Sequence, residues 1–284
     1  MLAKKQILFA YPEAGMLKFD KVLEQIYKQP VTAQKDAQTI EASCTYNQKA
    51  VNLAAHARLL QKGRETAPVV IYLPWYGGES AQSKRYFDSK PHPDWTYIGI
   101  DIFDTKGAFD AILASAVVSQ YAYALVMRMT AEQIRLAHQA GRRVGVVGIS
   151  YGANVLGAYI TQGLELPDAL AVAEGGSILR TTLKGTYRGH ACDPRTLQSL
   201  RQEPDLIPVQ KPITGRAAKI SAAVINVDDK IVLGQEELWE NAAEKMHIRG
   251  GHLLGPRLYR RKIRTFVDRH FERLLTPQNP QHHR

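Results

Sequence analysis

The sequence predicts an α/β protein, with a mostly parallel central sheet and helices on both faces. Three observations predict it. Short apolar runs recur along the chain without strict polar alternation, as strands covered on both faces do. Longer stretches of helical character separate them. The 284 residues, 45% of them hydrophobic, can bury one substantial core.

The strands read in order as Val69–Leu73 after Pro68, Thr96–Phe103, Arg143–Ile149, Ala169–Ala173, Lys219–Val227 and Glu244–Ile248. Helical patterns fall at about 81–88, 108–139, 152–163, 235–243 and 256–274, and Gly141 is placed to end the long one. Right-handed crossovers then set the loops after the strands along one edge of the sheet, where sites are built. Residues 1–66 read differently, as a short strand, a helix near 15–28 and an antiparallel edge. Residues 175–216 carry Pro194, Pro204, Pro208 and Pro212 among mixed polarity and read as a lid insertion. The expected organisation is a single domain over 1–275, followed by a polar tail at 276–284.

Several function classes are disfavoured by composition. Cys44 and Cys192 are the two cysteines, far apart, which is neither a disulfide framework nor a zinc pattern. The start MLAKKQILFAYPEAG lacks the long apolar stretch and cleavage site of a secretory signal. The uncharged run from Ala111 to Met127 contains Ser115, Ser119 and Gln120, so it reads as a buried helix rather than a membrane span. A cytoplasmic location is the expectation. The net charge is +10, much of it in residues 257–273. There Leu258, Ile263, Phe266, Val267, Phe271, Leu274 and Leu275 fall near one stripe, so the segment reads as a docked helix with a solvated basic face. No nucleic-acid motif accompanies it, and no nucleic-acid partner is expected.

The chemistry concentrates where VGVVGI breaks into Ser150-Tyr151-Gly152 before a helix. Gly148 and Gly152 flank Ser150 at two residues on either side, as a very tight strand-to-helix turn requires. Serine is also a favoured helix N-cap, so the position has a plain structural reading as well. A nucleophilic serine needs a base, the base needs an orienting acid, and the oxyanion needs donors. Later strand ends supply candidates. Asp228 and Asp229 follow KISAAVINV, Glu174 follows ALAVA, and His252 sits in RGGHLLG, where paired glycines allow an unusual backbone path.

VVGISYGA resembles the nucleophile elbow of the α/β hydrolases, DDKIV their acid turn and GGHLLG their histidine loop, while VVIYLPWYGGES is similar to their strand and oxyanion loop. The resemblance covers residues 66–275. It implies an α/β-hydrolase fold and a serine esterase, a carboxylesterase acting on a small-molecule ester through an acyl-enzyme. Ser150 would be the nucleophile, His252 the base and Asp229 the acid, with Asp228 and Glu174 as alternatives. Backbone N–H groups of Tyr151 and of Tyr76 or Trp75 would form the oxyanion hole. The side chains of Trp75 and Tyr76 read equally as packing or as pocket lining, and Trp75 is the candidate substrate-binding residue. No metal or organic cofactor is implied.

Two other readings stay open. Gly148, Ser150 and Ala153 occupy the G-x-G-x-x-A positions of a dinucleotide fold, with Glu174 as a ribose-binding acid, which would make the chain a nucleotide-binding oxidoreductase. A hydrolase-like fold used only for binding is the third.

Overall fold

The structure is a computed structural model. It describes residues 17–34, 37–46, 49–73, 79–87, 92–102, 116–177, 186–187, 190–191, 208, 210–252 and 254–276. The strands are β1 (Thr32–Gln34), β2 (Ala37–Tyr46), β3 (Lys49–Gln61), β4 (Val69–Leu73), β5 (Thr96–Asp101), β6 (Val144–Ile149), β7 (Ala169–Ala173), β8 (Thr186–Tyr187), β9 (His190–Ala191), β10 (Ser221–Asn226) and β11 (Glu244–Ile248). The helices are α1 (Phe19–Tyr27), α2 (Ser80–Phe87), α3 (Ala116–Gln139), α4 (Tyr151–Thr161), α5 (Gly215–Lys219), α6 (Gln235–Trp239) and α7 (Leu254–Leu275).

One nine-stranded sheet runs β1-β2-β3-β5-β4-β6-β7-β10-β11. From β5 to β11 every pair is parallel, and β1, β2 and β3 add an antiparallel edge. Side chains alternate between two cores. Val69, Ile71 and Leu73 of β4 face one, with α1, α3, α4 and α6, whereas Val70 and Tyr72 face the other, with α7. Burial on both faces explains why β4 and β6 are apolar throughout. The chain order changes direction at β4, with β5 on one side and β6 on the other. This is a topological switch point, where a crevice opens at the strand ends.

Several boundaries differ from the sequence reading, each for a physical reason. The stretch Lys219–Val227 does not start as a strand. Lys219 ends α5, whose Ala217 and Ala218 are buried, and the Ser221 hydroxyl donates to Ala217 O at 2.6 Å. Helix α6 stops at Trp239, shorter than the 235–243 expected, because the chain turns there to lead into β11. Strand β11 does alternate, with Lys245 and His247 exposed, because it is an edge strand. In α7, Ile263, Phe266, Val267, Phe271 and Leu275 are buried as expected, but Leu258 is 67% exposed, on the solvent side of a first turn whose Gly255 and Pro256 are buried. Gly141, at φ 70°, closes α3 as expected, with Arg142 N–H donating to Ala137 O.

The strand expected before residue 15 and most of the expected lid at 175–216 lie outside the described residues. Among the described residues no helix is long and apolar enough to cross a membrane.

Ile71 is fully buried at the centre of β4 and packs in the core under α3 and α4. Ile71→Ala is expected to cost about 2–5 kcal/mol in urea denaturation. A loss below about 1 kcal/mol would contradict this packing.

Candidate active site

The site is built at the C-terminal ends of β6, β7, β10 and β11. Their register aligns these ends. Ile149 pairs with Ala173, Ala173 with Val224, and Asn226 with Ile248. The ladder continues one residue past each strand. Ser150 N–H donates to Ala173 O at 2.8 Å, and Glu174 N–H to Val224 O at 3.0 Å. Side chains on the following loops therefore meet at one rim.

Ser150 has φ 50° and ψ −108°, a strained region for a residue with a Cβ. Its side chain makes no N-cap hydrogen bond, so the structural reading of this serine does not hold. The turn is possible because its neighbours are glycine. A Cβ on Gly148 would sit 2.6 Å from the backbone of Gly152, and one on Gly152 would sit 2.7 Å from Leu73 O. Tyr151 follows as the first residue of α4, its ring buried against Tyr123 with centroids 4.8 Å apart. First-turn N–H groups have no partner within their own helix and point toward its N-terminus, the end at which Ser150 stands.

His252 reaches the rim through Gly250 and Gly251, which have φ 108° and 71°. Its Nε2 lies 2.8 Å from Ser150 Oγ, and its Nδ1 lies 2.8 Å from Asp229 Oδ2. A carboxylate only accepts, so Nδ1–H donates to Asp229, and Nε2 keeps the lone pair that accepts the serine proton. The Asp229 side chain is fully buried. Its Oδ1 accepts from Ile231 and Val232 N–H at 2.8 and 3.0 Å, and its Oδ2 also accepts from Gln235 Nε2 at 2.7 Å. These donors fix the orientation of the carboxylate toward Nδ1.

The structure thus brings together Ser150, His252 and Asp229. Asp228 is elsewhere, exposed, with its carboxylate accepting from Gly250 N–H at 3.1 Å. Glu174 is at the site, with Oε2 3.4 Å from His252 Nδ1, longer than the Asp229 contact to the same nitrogen. It is 1% exposed, at φ 56°, and burial first, then the charge of Asp229, push its pKa from 4.5 up to about 9 against one favourable hydrogen bond from Asn226. A buried acid engaged in this way is not presented to a ribose, the role a dinucleotide site would give it. Trp75 and Tyr76 lie outside the described residues.

Asn226 and Gln235 are site residues that motif reading missed. Asn226 Nδ2 donates to both Glu174 Oε1 and Gly251 O, each at 2.7 Å, and its own N–H donates to Gln235 Oε1 at 2.9 Å. The one available signal was a buried amide ending an otherwise apolar strand. Gln235 carried none.

Glu174, Asp229 and His252 offer ligand atoms within 4.8 Å of one another, the one such group among the described residues. Asp229 Oδ2 and His252 Nδ1 are already hydrogen-bonded to each other. His56, His138, His247 and His270 have structural partners. His138 lies between Glu165 and Asp168, and buried His270 lies between Glu244 and Ile220 O. Asp101, also at the active edge, caps α2 by accepting from Ser80 N–H and Oγ–H.

The uncomplexed acylaminoacyl peptidase of Pyrococcus horikoshii is similar, at 16% identity and a TM-score of 0.51 over 87% of this chain and 43% of that one. A prolyl endopeptidase structure is similar at 17% identity and a TM-score of 0.50, over 87% of this chain and 40% of that one. The chain has the α/β-hydrolase fold. It spans less than half the length of those hydrolase-fold structures. No family model and no curated protein matches it.

Two outcomes are expected. Gly152→Ala forces a Cβ against Leu73 backbone and is expected to destabilise by about 1–3 kcal/mol in urea denaturation. A neutral result would contradict the close approach of α4 to β4. The second concerns Glu174. The native protein holds a proton that the unfolded chain gives up between pH 4.5 and about 9. The linked stabilisation is complete below that window and falls as pH rises through it. Wild type is therefore expected to lose stability relative to Glu174→Gln from mildly acid to alkaline pH. A difference that stays constant with pH would show that Glu174 is ionised throughout.

Proposed function

We propose that this chain is a serine hydrolase that cleaves a carboxylic ester through an acyl-enzyme. The observation that carries the reading is the continuous hydrogen-bonded line from Ser150 through His252 to Asp229, each contact 2.8 Å long, starting at a strained serine.

Ser150 Oγ attacks the carbonyl carbon while its proton passes to His252 Nε2. The imidazolium is stabilised by Asp229, which accepts from Nδ1–H throughout and keeps no proton of its own. The carbonyl oxygen becomes an oxyanion beside the start of α4, where the Tyr151 N–H is one donor, and the loop after β4, at Tyr76 or Trp75, supplies the other. The carbon–oxygen bond to the alcohol then breaks, and the alkoxide takes the proton from Nε2. Water enters, gives its proton to Nε2 and attacks the acyl carbon. Collapse frees the acid and returns the proton to Ser150 Oγ.

Esters are the favoured bond because the relay suffices for a good leaving group. Amides are the competing bond, since the two similar structures are described as peptidases. The expected result is turnover of p-nitrophenyl acetate or butyrate by wild type and none above background by Ser150→Ala, with the melting temperature of the variant within a few degrees. Asp229→Asn is expected to lower kcat by orders of magnitude at neutral pH. Turnover retained in Ser150→Ala would refute the assignment, and turnover of the matched p-nitroanilides alone would move the substrate class to amides.

A further inference from the structure

Two carboxyl groups flank one imidazole nitrogen, and the serine relay uses only one of them. Their surroundings differ. Asp229 accepts from two backbone N–H groups and a Gln235 amide before it meets the histidine. Among the described residues, Glu174 accepts from one donor, Asn226. Two buried carboxylates so close do not both ionise, and the proton goes to the group with fewer donors. That group is Glu174, in line with the rise of its pKa to about 9.

Asn226 links this acid to the histidine. Its amide nitrogen bridges Glu174 Oε1 and the carbonyl of Gly251, the residue immediately before His252. Glutamine would accept from Asn226 equally well, match the shape and avoid crowding a second acid against Asp229. What an acid adds at this position is the capacity to ionise beside Nδ1. Its backbone, at φ 56°, is strained in the same sense as that of Ser150, and these are the two non-glycine residues with positive φ among the described residues.

We propose that Glu174 is a positioning residue for His252, which steadies the histidine loop through Asn226 and becomes the acceptor for Nδ1–H when Asp229 carries no charge. The proposal rests on the serine-hydrolase reading. Among the described residues, the titratable groups facing Glu174 are Asp229, from the loop after β10, and His252, from the loop after β11. Replacing Asp229 by asparagine removes the nearby negative charge, so Glu174 ionises more readily than in wild type. It gives its proton to solvent, and its Oε2 then receives Nδ1–H.

The test is the rate at which a fluorophosphonate labels Ser150, measured from neutral to alkaline pH in wild type, Asp229→Asn and the double variant Asp229→Asn with Glu174→Gln. Asp229→Asn is expected to label slowly at neutral pH and to gain about tenfold per pH unit until Glu174 is ionised. The double variant is expected to lack that rise and to lie at least about tenfold below Asp229→Asn at the alkaline end. If the double variant does not fold, Asp229→Asn with Glu174→Asp replaces it. The shorter side chain withdraws the carboxylate from Nδ1, and the rise is again expected to be lost. Coincident curves for the single and double variants would overturn the proposal, because hydroxide rather than Glu174 would then account for the rise. Wild type labelling normally beside such curves would leave the serine-hydrolase reading intact. Wild type that does not label would overturn both.

Discussion

The whole rim depends on one bend in the backbone, at Ser150. The chain leaves β6 with φ 50° at this residue and starts α4 at the next. Such a conformation costs about 1–3 kcal/mol for a residue with a side chain and persists only where its surroundings hold it. Here the surroundings are Gly148 and Gly152, which let strand, turn and helix touch, and the pairing of Leu73 with Gly148, which seats β4 beside the bend. The hydroxyl projects where β4 and β6 diverge, the switch point of the sheet. A serine on a relaxed turn at this place would be an N-cap, bonded to its own helix.

Around that hydroxyl, electrostatics divides the work between two acids. Asp229 accepts from two backbone N–H groups and an amide, while Glu174, beside it, is kept protonated chiefly by burial. The imidazole between them takes the tautomer that leaves Nε2 facing the serine. Asn226 joins the parts, because one amide bonds both the second acid and the loop that carries the histidine. A Cβ on Gly255 would come within 2.7 Å of that amide, so α7 also has to be bare where it passes. The histidine loop is thus held from β10 and from the helix that follows it.

Much of this was legible in the sequence, for physical reasons that vary by element. Strands β4 and β7 were read to the residue, since Pro68 and Glu174 interrupt apolar runs sharply, and the bounds of β11 were also read to the residue, although its alternation was not. Ser150, Asp229 and His252 were legible because each stands at a strand end, next to residues that only a tight turn needs. Asn226 and Gln235 were not, since an amide that bridges two loops leaves no periodic trace. Leu258 was misread because helical periodicity reports a stripe but not how far along the helix that stripe is covered. Helix α5 was missed, and the strand reading began at its last residue, Lys219, because five residues are too few to show a helical period.

The central claim is that His252 binds Asp229 through Nδ1–H and so leaves Nε2 for the serine. Nitrogen-15 NMR of histidine-labelled protein measures this directly. The account predicts one imidazole proton far downfield, attached to Nδ1 of His252 and displaced in Asp229→Asn, with Nε2 unprotonated at neutral pH. A neutral His252 carrying its proton on Nε2 would contradict it.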